Sequence, residues 1–200
     1  MIIISSPSGA GKTTLCKLLL ANDPKMRLSV SVTTRPKRLS ETEGVDYYFI
    51  SESDFQLLID SDELLEYAKV FDYHYGTQKQ VVQKMLDQGY DVIFDVDWQG
   101  ALQLYNYCRE DIVSIFILPP SLTELENRLK KRAQDSEEVV QKRMKKAKGE
   151  ISHYKEYDYV IINHDINESL RLLQEIITVE RSKRVRLNKL DEFVEELLEA

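Results

Sequence analysis

The first fifteen residues restrict the possible folds of this chain more than any other segment. An apolar run at 2–4 leads into a turn-prone segment at 5–11, and Lys12 and Thr13 then open a helix-compatible stretch. This order matches the phosphate-binding loop G-x-x-x-x-G-K-[ST] except at Ser6, which stands where the first glycine is expected. Backbone N–H groups at a helix N-terminus converge on an anion, and the helix dipole favours it. The segment therefore predicts a site for a nucleoside triphosphate.

Each residue type in this loop has a separate role. Glycine lets the main chain approach the phosphates, Lys12 would reach the transferred phosphate, and the Thr13 hydroxyl would bind Mg²⁺. A serine at positive φ costs about 1–2 kcal/mol, so the loop either carries that strain at Ser6 or avoids the conformation. The residues predicted to bind the triphosphate are Ser6, Pro7, Ser8, Gly9, Ala10, Gly11, Lys12, Thr13 and Thr14.

Composition argues against several other classes of protein. A net charge of −7 over 200 residues disfavours general binding to nucleic acid or to an anionic membrane. Apolar runs fall well short of the ~18 residues that span a membrane, and no signal-peptide pattern precedes the first strand. Cys16 and Cys108 are isolated and are expected to be small buried thiols, and the histidines lack metal-ligand spacing. We expect a cytoplasmic protein.

Beyond the loop, strand patterns alternate with helix patterns. This alternation predicts an α/β fold with a parallel sheet and right-handed crossovers. The predicted strands of the body are 27–34, 91–97, 112–118 and 157–163, and its predicted helices are 79–87, 101–107, 121–132, a charged helix ending near 154, and 167 to about 184.

A small β-rich insertion is predicted at 34–77. It contains strands at 46–50 and 64–70, a helix at 54–61 capped by a serine, and a loop at 71–77. Two arginine forks and two phenol hydroxyls in this segment could bind a phosphate group. Because surface arginines and strand tyrosines are common, the same set also fits an ordinary polar surface. The four residues are Arg35, Arg38, Tyr47 and Tyr75.

Two carboxylates stand at the end of the apolar strand 91–97. Ligands bind at the carboxyl ends of strands in open α/β sheets, and an acidic residue there supports Mg²⁺ in phosphate-loop proteins. Asp95 and Asp97 are therefore candidates for the metal site. The alternative interpretations are a solvated strand end and a helix cap.

Charge and amphipathicity single out two further segments. Residues 128–148 hold nine of the 27 lysines and arginines, which predicts a mobile lid over a polyphosphate or, for most of these lysines, an exposed charged helix pair. Residues 188–200 predict an amphipathic helix that packs on the body, with binding to a partner as the alternative. Its apolar face is Leu190, Phe193, Val194, Leu197 and Leu198, and the basic residues before it, Arg181, Lys183, Arg184 and Arg186, are expected to form a solvated helix end.

Several motifs in this order resemble the guanylate kinase family from Ile2 to about Lys183. They are SPSGAGKTT, SVSVTTRPKR, EGVDYYFI, LLEYAKVFDYHYG, FDVDWQGA, RAQDSEEVVQKRM and SHYKEYDYVIIN. The resemblance implies Mg²⁺-dependent transfer of the γ-phosphate of ATP to GMP, and to dGMP, in purine nucleotide recycling and GTP and dGTP supply. It also implies a three-layer P-loop kinase fold with a core (1–33, 78–130 and 156–187), a GMP-binding insertion (34–77), a helical lid (131–155) and a C-terminal helix (188–200).

The family resemblance also implies roles for individual residues. The catalytic residues would be Lys12, Asp95, Arg132 and Arg143, with Thr13 and, through water, Asp95 at the metal, and Asn163 beside the adenine. The GMP-binding residues would be Ser31, Arg35, Arg38, Tyr47, Glu66, Tyr75, Gly76, Thr77 and Asp97. The division of roles between Asp95 and Asp97 stays open. A buried Glu66 would accept from the guanine N1–H and amine, which adenine cannot offer, and this can exclude the wrong base by ~10⁴-fold.

Three departures and two rival functions accompany this interpretation. Ser6 replaces a glycine, Lys131 and Ala133 stand where the lid often has glycines, and the tail extends beyond the usual end. The first rival is a non-catalytic guanylate kinase-like protein-interaction domain, but such domains lack parts of the phosphate machinery that this chain retains. The second is a kinase for another nucleotide, against which Ser31, Glu66 and Thr77 count. The oligomeric state is left open.

Overall fold

The structure, a computed structural model, describes residues 1–39, 41–70, 72–132, 137–187 and 189–199, and of residues 132, 138 and 139 it describes the backbone only. Short 3₁₀ turns at Arg109–Asp111, Ser152–Glu156 and Arg184–Arg186 supplement the regular elements. In chain order these are β1 (Ile2–Ser5), α1 (Lys12–Asn22), β2 (Met26–Leu28), β3 (Val32–Thr33), β4 (Tyr48–Phe49), α2 (Glu52–Asp60), β5 (Leu64–Val70), β6 (Tyr73–Gln78), α3 (Lys79–Asp87), β7 (Asp91–Asp95), α4 (Trp98–Cys108), β8 (Val113–Leu118), α5 (Leu122–Arg132), α6 (Glu137–Ile151), β9 (Tyr159–Ile162), α7 (Ile166–Arg181) and α8 (Leu190–Glu199).

A five-stranded parallel sheet in the order β2-β7-β1-β8-β9 forms the middle layer. Because successive side chains of a strand point to opposite faces, β1 supplies both cores. Ile2 and Ile4 pack with residues of α1 and α7, and Ile3 packs with residues of α3 and α4. Both faces of the sheet are covered, which explains why its strands are continuous apolar runs. The predicted three-layer α/β fold is confirmed.

A second sheet has four strands in the order β4-β3-β6-β5. Most of it lies in the predicted insertion 34–77, but β3 precedes that segment and β6 ends one residue after it. Its small core contains Val32, Phe55 of α2 and Leu64. The single strand predicted at 27–34 is wrong, because β2 belongs to the parallel sheet and β3 to the second one. Ser29, between them, bonds Ile93 O through its amide at 2.9 Å and its hydroxyl at 3.0 Å. The alternating pattern predicts extended backbone, but it does not specify which neighbour pairs with it.

The loop predicted at 71–77 is also wrong, since β6 occupies most of it and pairs antiparallel with β5. Gly76 had favoured a loop, but here it allows a close approach within the sheet. A Cβ at this position would lie 3.0 Å from Leu64 Cδ1 and 3.1 Å from Glu66 O. A glycine inside a strand is a known sign of such an approach.

Helix and strand ends differ from the predictions mainly where a cap decides them. The helix predicted from 101 begins at Trp98, because Asp97 accepts hydrogen bonds from the amides of Gln99 and Gly100. The strand predicted to 97 accordingly ends at Asp95, and α7 ends at Arg181 rather than near 184. Ser51 caps α2 as predicted. Among the described residues, no helix combines the length and apolar character needed to cross a bilayer.

The C-terminal helix α8 does not pack on the body. None of the residues of this described helix is buried, and Leu198 is 82% exposed, so the prediction that it packs on the body is wrong. The basic segment before it is not simply solvated either, because Arg181 pairs with Asp23 and Asp91. Cys16 is buried as expected, whereas Cys108 is only partly buried.

Candidate active site

The loop between β1 and α1 has the backbone that phosphate binding needs. Gly9 and Gly11 have φ values of +95° and +107°, in the region that favours glycine. A Cβ on Gly11 would also clash with the side-chain amide of Asn163. Among the described non-glycine residues only Asp62 and Lys189 have positive φ, so Ser6 avoids the strained conformation. The departure from the motif therefore places no strain on the loop.

A central cavity of about 310 Å³ lies between this loop, the end of β7 and the second sheet. It brings together residues predicted to bind the triphosphate with residues predicted to bind GMP. The first group is Ser6, Pro7, Ser8, Gly9, Gly11, Lys12, Thr13 and Asp95, the second is Ser31, Tyr47, Glu66, Tyr75 and Asp97, and Arg143 of the predicted lid joins them. Ala68, Val70, Val96, Lys146 and Glu150 complete the lining.

Lys12 and Asp95 form an ion pair in this cavity, joining the loop to the end of β7. Burial alone would lower the pKa of Lys12, but the attraction of Asp95 outweighs it and the pKa is raised. The ammonium group is therefore charged at neutral pH. The pair places a cation and a carboxylate side by side where the sheet opens, which is the arrangement that a metal-bound polyphosphate requires.

Glu66 is 4% exposed and projects from β5 into the cavity. The Thr77 hydroxyl donates to Glu66 Oε1 at 2.7 Å. Burial raises the pKa of Glu66 to about 7, against the lowering effect of this hydrogen bond, and the nearby Asp97 adds to the rise. A buried carboxylate with one further acceptor atom suits a ligand that offers two adjacent N–H donors. Thr77 itself contacts Glu66 rather than the cavity.

Asp97 has the structural role that the sequence left open. Its Oδ1 accepts from the amides of Gln99 at 3.0 Å and Gly100 at 3.2 Å, and its Oδ2 accepts from Gln99 Nε2 at 3.1 Å. It is the N-cap of α4, and it also borders the cavity. Asp95 contacts Lys12 instead, so the two carboxylates differ clearly in their partners.

The predicted phosphate-binding set is only partly assembled. Arg35 Nε donates to the Tyr75 hydroxyl at 3.2 Å, and the Tyr47 and Tyr75 ring centroids lie 5.7 Å apart. The Arg38 side chain is exposed. Glu41, which sequence reasoning missed, accepts from Arg35 NH2 at 2.6 Å and from the Arg38 amide at 2.9 Å. Its position among these arginines was the only available signal.

A second cavity, of about 710 Å³, lies on the other side of the loop and includes Thr14, Arg128 and Asn163 in its lining. Asn163 is predicted to lie beside the adenine, and in the structure its buried amide supports the loop. Its Nδ2 donates to Ala10 O at 2.7 Å, and its Oδ1 accepts from Ser169 at 3.0 Å. Arg128, which sequence reasoning did not assign, donates to Asn163 O at 3.2 Å.

Helices α5 and α6 pack against each other and reach the loop. The Ser8 amide donates to Glu150 Oε2 at 3.3 Å, and Lys146 Nζ lies 3.5 Å from Glu150 Oε1. Neither Lys146 nor Glu150 was singled out from the sequence. Beyond α6, the His153 ring stacks on Trp98 of α4 at 3.9 Å. The Arg132 side chain and Ala133 lie outside the described residues, and Lys131 is exposed.

The start of α1 and the end of β7 together supply a donor set that fits a magnesium ion brought in by a nucleotide. Thr13 and Asp95 offer a hydroxyl and a carboxylate, the hard oxygen donors that Mg²⁺ prefers. Within the described ranges no three His, Cys, Asp or Glu side chains are placed to hold an ion by themselves. Mg²⁺ usually keeps several waters and binds through one or two protein oxygens plus substrate phosphates, so two donors are enough here.

Comparisons with known proteins agree with this geometry. The guanylate kinase family model matches residues 1–180. The chain is 52% identical to the guanylate kinase of Rhizobium etli, over 100% of this chain and 90% of that protein. It is also 52% identical to that of Zymomonas mobilis, over 99% and 92%. The crystal structure of guanylate kinase from Anaplasma phagocytophilum superposes with a TM-score of 0.82 at 38% identity, covering 98% of this chain and 93% of that one. The chain belongs to the guanylate kinase family.

Proposed function

We propose that this ATP:GMP phosphotransferase carries out its reaction in the central cavity, with ATP on the loop side and GMP or dGMP on the side of the second sheet. The observation that carries the proposal is the shared cavity itself. The Lys12–Asp95 pair and the buried Glu66 both line this single open cavity of about 310 Å³. A donor phosphate on the loop and a base held at Glu66 would therefore share one reaction space.

On the donor side, the loop amides and Lys12 would hold the phosphates of ATP. Bound Mg²⁺ would neutralise phosphate oxygens, with Thr13 and, through water, Asp95 as its protein partners. Lys12 leaves Asp95 for the phosphates as the nucleotide enters, so each member of the pair gains a new partner of opposite charge. The loop keeps its shape during this exchange because Asn163 and Arg128 support it from behind.

On the acceptor side, Glu66 would accept from guanine N1–H and the exocyclic amine, while Ser31 and Thr77 assist. Arg35, Arg38, Tyr47 and Tyr75 would hold the GMP phosphate, with Glu41 keeping Arg35 in position. A phosphate oxygen of GMP attacks the γ-phosphorus, the bond to the ADP oxygen breaks, and GDP and ADP result. No protein nucleophile is needed, because positioning and charge neutralisation dominate such reactions.

The segment 131–155, which contains helix α6, would act as the lid over this space. Arg143 and Lys146 already border the cavity, and Arg132 would join them at the transferred phosphate. Closure would exclude water, which otherwise competes with GMP for the γ-phosphate. The proposed division is therefore a core at 1–33, 78–130 and 156–187, a GMP-binding insertion at 34–77 and a lid at 131–155.

A panel of acceptors tests the assignment. We expect GMP and dGMP to support ADP release, and AMP, UMP and CMP to reach at most about 1% of that rate, since an unpaired buried Glu66 rejects them. Omitting Mg²⁺ should abolish turnover. A coupled ADP assay measures all these rates. Equal rates with AMP and GMP would contradict the base assignment, and Mg²⁺-independent turnover would contradict the metal proposal.

Substitutions in the loop should separate tolerated from required residues. Ser6→Gly should keep kcat within about threefold, because Ser6 avoids positive φ. Gly11→Ala should lower kcat/KM for ATP at least about tenfold, since it adds strain of about 1–2 kcal/mol and a clash with Asn163. Steady-state kinetics with ATP varied measures both. A large loss in Ser6→Gly would show that the hydroxyl itself is needed.

A further inference from the structure

Gly100 stands at the third position of α4, directly behind the carboxylate of Glu66. A Cβ built there would lie 2.6 Å from Glu66 Oε2, 3.3 Å from Glu66 Cδ and 3.1 Å from Val96 Cβ. A carbon and a carboxylate oxygen normally approach to about 3.3 Å. The Glu66 carboxylate therefore occupies the space that a side chain at residue 100 would need.

The backbone does not require glycine at this position. Gly100 lies within a helix and its φ is not in the left-handed region. Glycine is less favourable than alanine there by about 1 kcal/mol, so the helix alone favours a side chain. What disfavours a side chain at residue 100 is the close packing against Glu66 and Val96.

The carboxylate has two constraints, one on each oxygen. Thr77 holds Oε1 at 2.7 Å from one side, and the bare Cα of Gly100 limits Oε2 from the other. A methyl group at residue 100 would push the carboxylate by more than half an ångström, and the Thr77 hydrogen bond would lengthen or break. Because the displaced atom is the end of a flexible side chain, the fold can tolerate the shift.

We propose that Gly100 is a positioning residue for guanine specificity, which sets the place of the Glu66 carboxylate. The inference rests on the proposed role of Glu66 as the acceptor for guanine N1–H and its amine. Loss of a buried hydrogen bond to a charged group weakens binding by about 10- to 100-fold, so a displaced carboxylate should affect the binding of the base rather than the chemical step. Gly100 thus affects the base through Glu66, without touching the base itself.

Gly100→Ala is the test. Its kcat/KM for GMP should fall about 10- to 100-fold, while kcat at saturating GMP and KM for ATP stay within about threefold. The discriminating readout is the ratio of kcat/KM for GMP to that for IMP, whose base has N1–H but no exocyclic amine. This ratio should fall at least about fivefold, whereas a general structural defect would lower kcat/KM equally for the two substrates.

Asn106→Ala is the control, because Asn106 is an exposed residue of the same helix α4. It should leave kcat/KM unchanged for both GMP and IMP. In the background of Glu66→Asp, the shorter side chain withdraws from residue 100. There Gly100→Ala should lower kcat/KM for GMP much less than it does in the wild-type protein. If Gly100→Ala proves unstable, restoration of its melting temperature by Glu66→Asp also supports the inference.

Four outcomes would overturn the proposal. Unchanged GMP kinetics in Gly100→Ala, alongside impaired Glu66→Gln, would reject the inference and leave the role of Glu66 intact. Unchanged GMP kinetics in Glu66→Gln would reject the proposed base recognition and the inference together. Equal losses for GMP and IMP, or an instability that Glu66→Asp does not relieve, would make Gly100 a purely structural residue.

Discussion

Lys12→Ala is expected to lower kcat by at least about 10³-fold, because it removes a preorganised cation from the transferred phosphate. The fold should persist, since the core clusters that cover the sheet do not depend on this side chain. The free energy of unfolding should fall by about 1–2 kcal/mol as Asp95 loses its partner. Single-turnover kinetics measures the chemical step, and thermal unfolding followed by circular dichroism measures the stability.

Lys25→Ala provides the control for this variant. Lys25 is an exposed lysine away from the cavity, and it should leave kcat and the melting temperature unchanged. Near-normal turnover in Lys12→Ala would exclude a role for the loop lysine in phosphoryl transfer. Loss of the folded state in that variant would instead assign the Lys12–Asp95 pair a mainly structural role.

Glu66→Gln should lower kcat/KM for GMP by about 10²–10³-fold and change KM for ATP little. The amide keeps the shape of the side chain, but it presents one acceptor and one donor group where guanine offers two donors. One N–H of the base then faces another N–H in a buried site, which is strongly unfavourable. Initial rates with GMP varied at saturating ATP measure the effect. Glu63→Gln, at an exposed position nearby, is the control.

The same substitution should stabilise the protein in the absence of nucleotide at alkaline pH. Burial raises the pKa of Glu66 from 4.5 to about 7, so the folded state holds this proton more tightly than the unfolded state does. The resulting contribution to stability is complete below about pH 4.5 and is lost as pH rises through 7. The free energy of unfolding of Glu66→Gln should therefore exceed that of the wild type at pH 8, by on the order of 3 kcal/mol, and the difference should shrink towards pH 5. A constant difference across this range would contradict the shifted pKa.

Functional residues that lie close together in the sequence could be predicted from it. Contacts between residues that are far apart in the sequence could not. The loop from Ser6 to Thr13 contains its own lysine, hydroxyl and glycines, so its role is visible in a single segment. The partners of that loop are distant: Glu150 lies 142 residues from Ser8, and Asn163 lies 153 residues from Ala10. No local pattern specifies such contacts, because packing of the whole fold determines them.

Periodicity predicted extended backbone correctly but could not assign it to a sheet. The pattern at 27–34 is continuous, yet the chain leaves one sheet and enters the other between β2 and β3. Gly76 shows a related difficulty, since a glycine that usually marks a turn here serves a tight strand contact with Glu66 O. The amphipathic pattern of α8 predicted its helix correctly, but an apolar face does not say what it packs against.

The stack of Trp98 on His153 gives this enzyme a built-in optical reporter. Trp98 is the only tryptophan of the chain and follows Asp97 at the edge of the cavity, while His153 follows α6. The contact between the two rings thus connects the start of α4 with the end of α6. Any movement that separates them changes the surroundings of the sole indole, so its fluorescence can test the proposed closure on nucleotide binding in solution without an added label.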